Sequence, residues 1–150
     1  MNESLSETGE VKILCVDDSQ TNLAILKDTF KDEGYRLAFA TSGEDALVVV
    51  FEFLPDLILL DVLMPGIDGY NVCQVIKENP KTRDIPIIFI SGMDEKLQKN
   101  LGYRVGAVDY ITKPFDALDV QMRVKTQLSL RNLQKENKEL KQRIRDLEKH

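Results

Sequence analysis

The stretch from Pro55 to Gly69, PDLILLDVLMPGIDG, sets four apolar residues, Leu57 to Leu60, directly against an acid, Asp61, before the chain breaks at Met64-Pro65-Gly66. A short unbroken apolar run between turn signals suits a strand buried on both faces, the habit of parallel sheets. Asp61 then stands at the C-terminal end of such a strand. In open α/β sheets ligands bind at that edge, because the loops leaving the strands meet there. A single carboxylate at a strand end can equally cap the next turn, so the rest of the chain has to decide.

Toward the N-terminus, Val11 to Val16 (VKILCV) reads as a first strand that also ends in acids, Asp17 and Asp18. Ser19 caps a helix whose Leu23, Leu26 and Phe30 follow the 3.6-residue period, with Gly34 as its stop. Tyr35 to Ala40 is a weaker second strand. Thr41-Ser42-Gly43 opens a helix through Ala46, Val49, Val50 and Phe53 that closes at Pro55. Toward the C-terminus, Tyr70 to Glu78 is a helix between Gly69 and Pro80, and Ile85 to Ile90 is a fourth strand with Ser91 at its end. Asp94 opens a helix to about Val105, ended by Gly106. Val108 to Ile111 is a short fifth strand leading into Thr112-Lys113-Pro114-Phe115. Asp116 caps a last helix that turns Ala117, Val120, Val124 and Leu128 toward the sheet. Strands and helices alternate throughout, which predicts an α/β fold: a five-stranded parallel sheet with helices on both faces.

With 150 residues, 43% of them hydrophobic, the chain can bury one core and carry an appendage. The expected division is a tail over residues 1–10, a domain over 11–129 and a helical extension over 130–150. A net charge of −5 speaks against a broad nucleic-acid surface. Cys15 and Cys73 have no metal-binding or redox spacing and read as reduced thiols, so a cytoplasmic protein is expected. No stretch reaches the roughly 20 apolar residues of a membrane span. The single histidine is His150, which leaves no room for histidine-based catalysis or a cluster of imidazole ligands.

Parallel topology brings the C-terminal ends of the first, third, fourth and fifth strands to one rim, carrying Asp17, Asp18, Asp61, Ser91 and Lys113. Three neighbouring carboxylates repel unless a cation offsets them. Oxygen donors without Cys or His favour a hard ion, and partly hydrated Mg²⁺ is the expected guest. The plainer reading is that each acid caps its own helix and Lys113 forms an ordinary ion pair.

From about Val11 to Leu130 the chain resembles the receiver domain of two-component response regulators. The match lies in VDD (Val16 to Asp18), LLDVLMPGIDG, ISG (Ile90 to Gly92) and YITKPF (Tyr110 to Phe115), in order and each at the end of its own strand. The resemblance implies a flavodoxin-like strand order of 2-1-3-4-5. It also implies that Asp61 accepts a phosphoryl group from a histidine kinase or histidine phosphotransfer protein. Asp18 and Asp61 would bind Mg²⁺ with the Leu63 carbonyl, Asp17 acting through a bound water. Lys113 would pair with the phosphoryl group, Ser91 would donate to it, Tyr110 would be the switch aromatic, and the bond before Pro114 would be cis. Ser91 replaces the commoner threonine but keeps the hydroxyl. Leu63 is apolar where residues shape access of the hydrolytic water, so slow self-dephosphorylation is expected. On this reading the chain is no enzyme beyond catalysing its own phosphorylation and dephosphorylation. Two alternatives are a Mg²⁺-dependent phosphatase with an aspartyl-phosphate intermediate and a structural dimeriser with a vestigial pocket.

Beyond Leu130 the residues fall into heptads, with Leu130, Asn137 and Ile144 at a and Leu133, Leu140 and Leu147 at d. Such a seam predicts a coiled coil, and Asn at an a position favours a parallel homodimer in fixed register. Across the pair Glu136 would face Lys141 and Arg143 would face Glu148. A rod of this kind suits transmission to a fused or separate output domain, with neither membrane nor direct nucleic-acid contact by this chain.

Overall fold

A computed structural model describes residues 9–92 and 104–149. Most of the expected N-terminal tail and of the helix expected from Asp94 to about Val105 lies outside these residues. Five parallel strands run in the order β2-β1-β3-β4-β5: β1 Lys12–Val16, β2 Arg36–Ala40, β3 Leu57–Asp61, β4 Ile87–Ser91 and β5 Asp109–Thr112. This is the expected sheet. Every residue of β3 and β4 is buried, as the unbroken apolar runs require.

Four helices are described: α1 Gln20–Thr29, α2 Gly43–Phe53, α3 Gly69–Glu78 and α4 Ala117–Glu148. Alternation along the strands divides the core between the two faces. Leu14, Val16, Ile58, Leu60 and Phe89 pack with Ala46 and Val50 of α2 and Val72 and Ile76 of α3. On the other face Ile13, Cys15, Leu57, Leu59 and Ile88 meet Leu23 and Leu26 of α1 and Val120 and Val124 of α4. Leu128 and Phe115 pack against this second cluster, whereas Ala117, expected to face the sheet, is exposed.

The helix starts follow their capping residues. Ser19 Oγ accepts from the Asn22 N–H at 3.2 Å, and Ser42 Oγ from the Asp45 N–H at 3.1 Å. Asp68 caps α3, its carboxylate accepting from the Asn71 N–H at 2.9 Å, so the helix starts at Gly69, one residue before the expected Tyr70. Asp116 occupies the N-cap position of α4 without making a side-chain cap bond. The expected end of α1 at Gly34 is also too late. The helix stops at Thr29, whose hydroxyl donates back to the Ile25 carbonyl at 2.8 Å, and the chain then turns to Gly34 at φ +77°.

The helix α4 passes down the sheet from the rim toward the opposite edge. There the Arg131 guanidinium donates to the Asp84 carbonyl at 2.8 Å and lies 3.9 Å from Asp56, residues that precede β4 and β3. Burial pushes the Asp56 carboxyl up and the Arg131 guanidinium down from their usual ranges, while their mutual attraction opposes both shifts. Contact with the domain thus persists one residue past Leu130. Beyond it the seam positions Leu133, Asn137, Leu140, Ile144 and Leu147 are all exposed.

Candidate functional site

The register of the sheet decides which side chains meet. Val16 lies opposite Ala40 and Leu60, Asp61 opposite Ile90, and Ser91 opposite Thr112. The next residues along β1 and β5, Asp17 and Lys113, therefore emerge beside Asp61 at the same rim. Two backbone bonds extend the sheet into it. The Asp17 N–H donates to the Ala40 carbonyl at 3.1 Å, and the Lys113 N–H to the Ser91 carbonyl at 2.7 Å.

One carboxylate oxygen each from Asp17, Asp18 and Asp61 lies within 4.8 Å of the others. Asp17 and Asp61 are buried and Asp18 is exposed at the mouth. The Lys113 ammonium sits 2.9 Å from Asp17 Oδ2 and 3.4 Å from Asp61 Oδ1. Burial works against its charge, but the two carboxylates outweigh that and hold it above its ordinary range. Asp61, only 4% exposed, is pushed up to about 6, first by burial and then by Asp17, with Lys113 opposing. One ammonium does not neutralise three acids. The clustered oxygens, one of them open to solvent, suit a hard divalent cation, so the residues present fit Mg²⁺.

Asp17 has further partners that sequence reading missed. Its oxygens accept from the Ser19 N–H at 2.9 Å and from the Asn22 side-chain amide at 3.2 Å, so the start of α1 aims this carboxylate. Asn22 looked like an ordinary helix residue; an amide five positions after Asp17 is the only signal, and it is weak. Glu44 is a second omission. Its Oε1 accepts from the Ile67 N–H at 3.0 Å and pins the loop that follows Asp61. Gly69 is a third, because its missing side chain lets the start of α3 lie directly on the Asp61 carbonyl.

Ser91 is buried at the end of β4, and Tyr110 is buried on the α2/α3 side of β5. The Tyr110 ring stands edge-on to Phe89 at 6.2 Å, and Phe89 is edge-on to Tyr70 at 5.2 Å. Burial, and then Tyr110 beside it, push the Tyr70 hydroxyl up to about 12. The Lys113–Pro114 bond is cis, as the resemblance implied. Leu63 projects from the loop, 54% exposed.

The family model of the response regulator receiver domain matches residues 13–125. Among curated proteins, the response regulator PleD of Caulobacter vibrioides is 40% identical over 115 residues, covering 77% of this chain and 25% of that protein. A probable cyclic di-GMP phosphodiesterase of Vibrio cholerae is 39% identical over 125 residues, covering 83% and 28%. This chain therefore spans about a quarter of the length of the curated relatives it matches. The crystal structure of a putative response regulator from Chloroflexus aurantiacus matches with a TM-score of 0.77 at 37% identity, covering 80% of this chain and 98% of that one. The BeF3-activated DrrB receiver domain matches with a TM-score of 0.71 at 31% identity, again over 80% and 98%. Sheet order, rim and motifs thus converge with these matches: the chain belongs to the response regulator receiver domains, the phosphate-accepting modules of two-component signalling.

Proposed function

We propose that Asp61 is the residue phosphorylated, by a histidine kinase or a histidine phosphotransfer protein. The observation that carries this is the Lys113 ammonium lying between Asp17 and Asp61 at 2.9 and 3.4 Å, on a rim where three carboxylates converge. A carboxylate is a weak nucleophile toward an anionic phosphorus, so positioning and charge cancellation do most of the work. An Asp61 oxygen forms the new P–O bond as the donor's P–N bond breaks, and the leaving imidazole takes up a proton. Lys113 offsets charge on the phosphoryl oxygens, and Asn22 and Ser19 keep Asp17 in place. Mg²⁺, held by Asp18, Asp61 and the Leu63 carbonyl with Asp17 acting through water, would supply further charge neutralisation at the same oxygens. Incubation with labelled acetyl phosphate and Mg²⁺, followed by mass-spectrometric mapping, should place the phosphoryl group on Asp61. A chain that stays unlabelled, or carries label on another residue, contradicts the assignment.

After transfer, Ser91 donates to the phosphoryl oxygens and Tyr110 occupies the space that Ser91 vacates. Leu63, apolar and exposed at the mouth, slows approach of the hydrolytic water. Leu63→Asn is therefore expected to shorten the lifetime of the phosphorylated form about threefold to tenfold. Decay equal to or slower than that of the unaltered protein would refute this role.

We further propose that the receiver body ends near residue 129 and that residues 130–150 pair with a second copy in a parallel coiled coil. The support is the exposed stripe of Leu130, Leu133, Leu140, Ile144 and Leu147, with Asn137 among them at an a position. Repacking of the last helices around Tyr110 would alter the angle or register of this pair and pass the signal to a fused or separate output domain, in the cytoplasm. Replacing both Leu133 and Leu140 by lysine should weaken dimerisation at least about a thousandfold, since each buried leucine contributes about 1.5–3 kcal/mol per chain. Sedimentation equilibrium reads this directly; an unchanged dimer would show that the seam is not the interface.

A further inference from the structure

The charge of this acidic chain is divided unevenly: residues 130–150 carry a net +3 and residues 1–129 a net −8, with His150 taken as neutral. Part of the positive charge gathers in one place. A groove of about 420 Å³ between the turn before β4 and the last helix is lined by Arg83, Asp84, Gln134 and three further cations, Arg131, Lys135 and Lys138. Four cations face one carboxylate there. A neighbouring groove of about 410 Å³ shares Lys135 and Lys138 and extends the lining to Arg145.

The walls are fixed and the charge is only partly used. The Arg83 and Ile85 carbonyls accept from the Lys77 ammonium at 3.0 and 2.7 Å, and the Asp84 carbonyl accepts from Arg131, so both flanks of the turn are tied down. Arg131 shares its charge with Asp56. Among the described residues, Arg83 and Lys138 form no ion pair at all, although they stand on opposite walls. Cations that line one groove leave a local positive field that an anion relieves, and a phosphate group accepts from several donors at once. In the heptad frame Arg131, Lys138 and Arg145 are at b and Lys135 is at f, so pairing along the a/d seam leaves these four cations outside it.

We propose that this groove is an effector site for a small phosphate-bearing anion with at least two linked phosphoryl groups, held between Arg83 on the receiver and Lys135 and Lys138 on the helix. The site lies beside the N-terminal ends of β3 and β4, at the opposite sheet edge from Asp61, and so does not depend on the phosphorylation reading. Its occupant would tie the helix to the domain one to two turns beyond the Arg131 contact and so set how freely the helix leaves the receiver.

The test is titration of the full chain with inorganic pyrophosphate in EDTA, followed by calorimetry and by backbone amide shifts. Saturable one-to-one binding is expected, with the largest shifts around Arg83 and residues 131–138. The paired change Arg83→Glu and Lys138→Glu should weaken it at least about tenfold. The charge-matched pair Lys27→Glu, on α1, and Lys31→Glu, in the turn after it, should leave it within about twofold. Equal loss in the two pairs would reduce the effect to net charge and overturn the proposal. So would shifts centred on Asp61 and Lys113, absence of saturation, or retention only of long nucleic acids with an affinity that grows with their length.

Discussion

Replacing Gly69 by alanine is expected to lower the unfolding free energy by about 2–4 kcal/mol and to slow phosphorylation of the protein that remains folded. An added Cβ would collide with the Asp61 carbonyl oxygen and lie 2.8 Å from Val62 Cα, both backbone atoms that cannot rotate aside. The Gly69 N–H also donates to the Val62 carbonyl at 2.8 Å, so the start of α3 cannot back away without breaking that bond. Relief therefore requires moving the end of β3, and with it the Asp61 side chain. Urea denaturation gives the stability change, and acetyl phosphate labelling the rate. A loss below about 0.5 kcal/mol would mean that the helix start yields more easily than its contacts imply.

Asp61→Asn should abolish phosphoryl incorporation and, at neutral pH without divalent cations, stabilise the fold. Asp61 is held up at about 6 in the native protein against 3.8 ordinarily, by burial and then by Asp17, with Asp18 adding to them. The native state thus binds this proton more tightly than the unfolded chain does. Unfolding free energy falls as pH rises from about 4 to about 6, and the whole penalty applies above that window. The difference corresponds to about 3 kcal/mol at most, and solvent at the open mouth reduces the expected gain to about 1–2 kcal/mol. The advantage of Asp61→Asn should shrink toward zero as pH approaches 4, and should narrow in Mg²⁺, which relieves the same repulsion in the unaltered protein. An asparagine variant that is less stable at pH 7.5, or a gap that does not vary with pH, would show that Asp61 is already compensated.

The sheet was legible because its inner strands are short apolar runs between turn residues, and parallel order follows from alternation with helices. From that topology alone Asp17, Asp61, Ser91 and Lys113 reach one edge, and the structure places them there. The capping residues Ser19 and Ser42 were legible for a local reason: each side chain serves a backbone amide three residues on. What could not be read joins distant positions. Arg131 reaches Asp84 across 47 residues, and Glu44 holds Ile67 across 23. No periodicity marks such pairs, since each needs two elements already docked. The early end of α1 escaped for the opposite reason: the Thr29 hydroxyl competes for a helical carbonyl so locally that the apolar period runs straight through it.

The contacts of Arg131 also settle the traffic around the molecule. They steer the chain away from the acidic mouth, so that any bundle built on the departing helix gathers at one pole while the mouth opens at the other. In the proposed dimer each subunit would then keep its mouth open to a phosphodonor, with the stalk at the far pole.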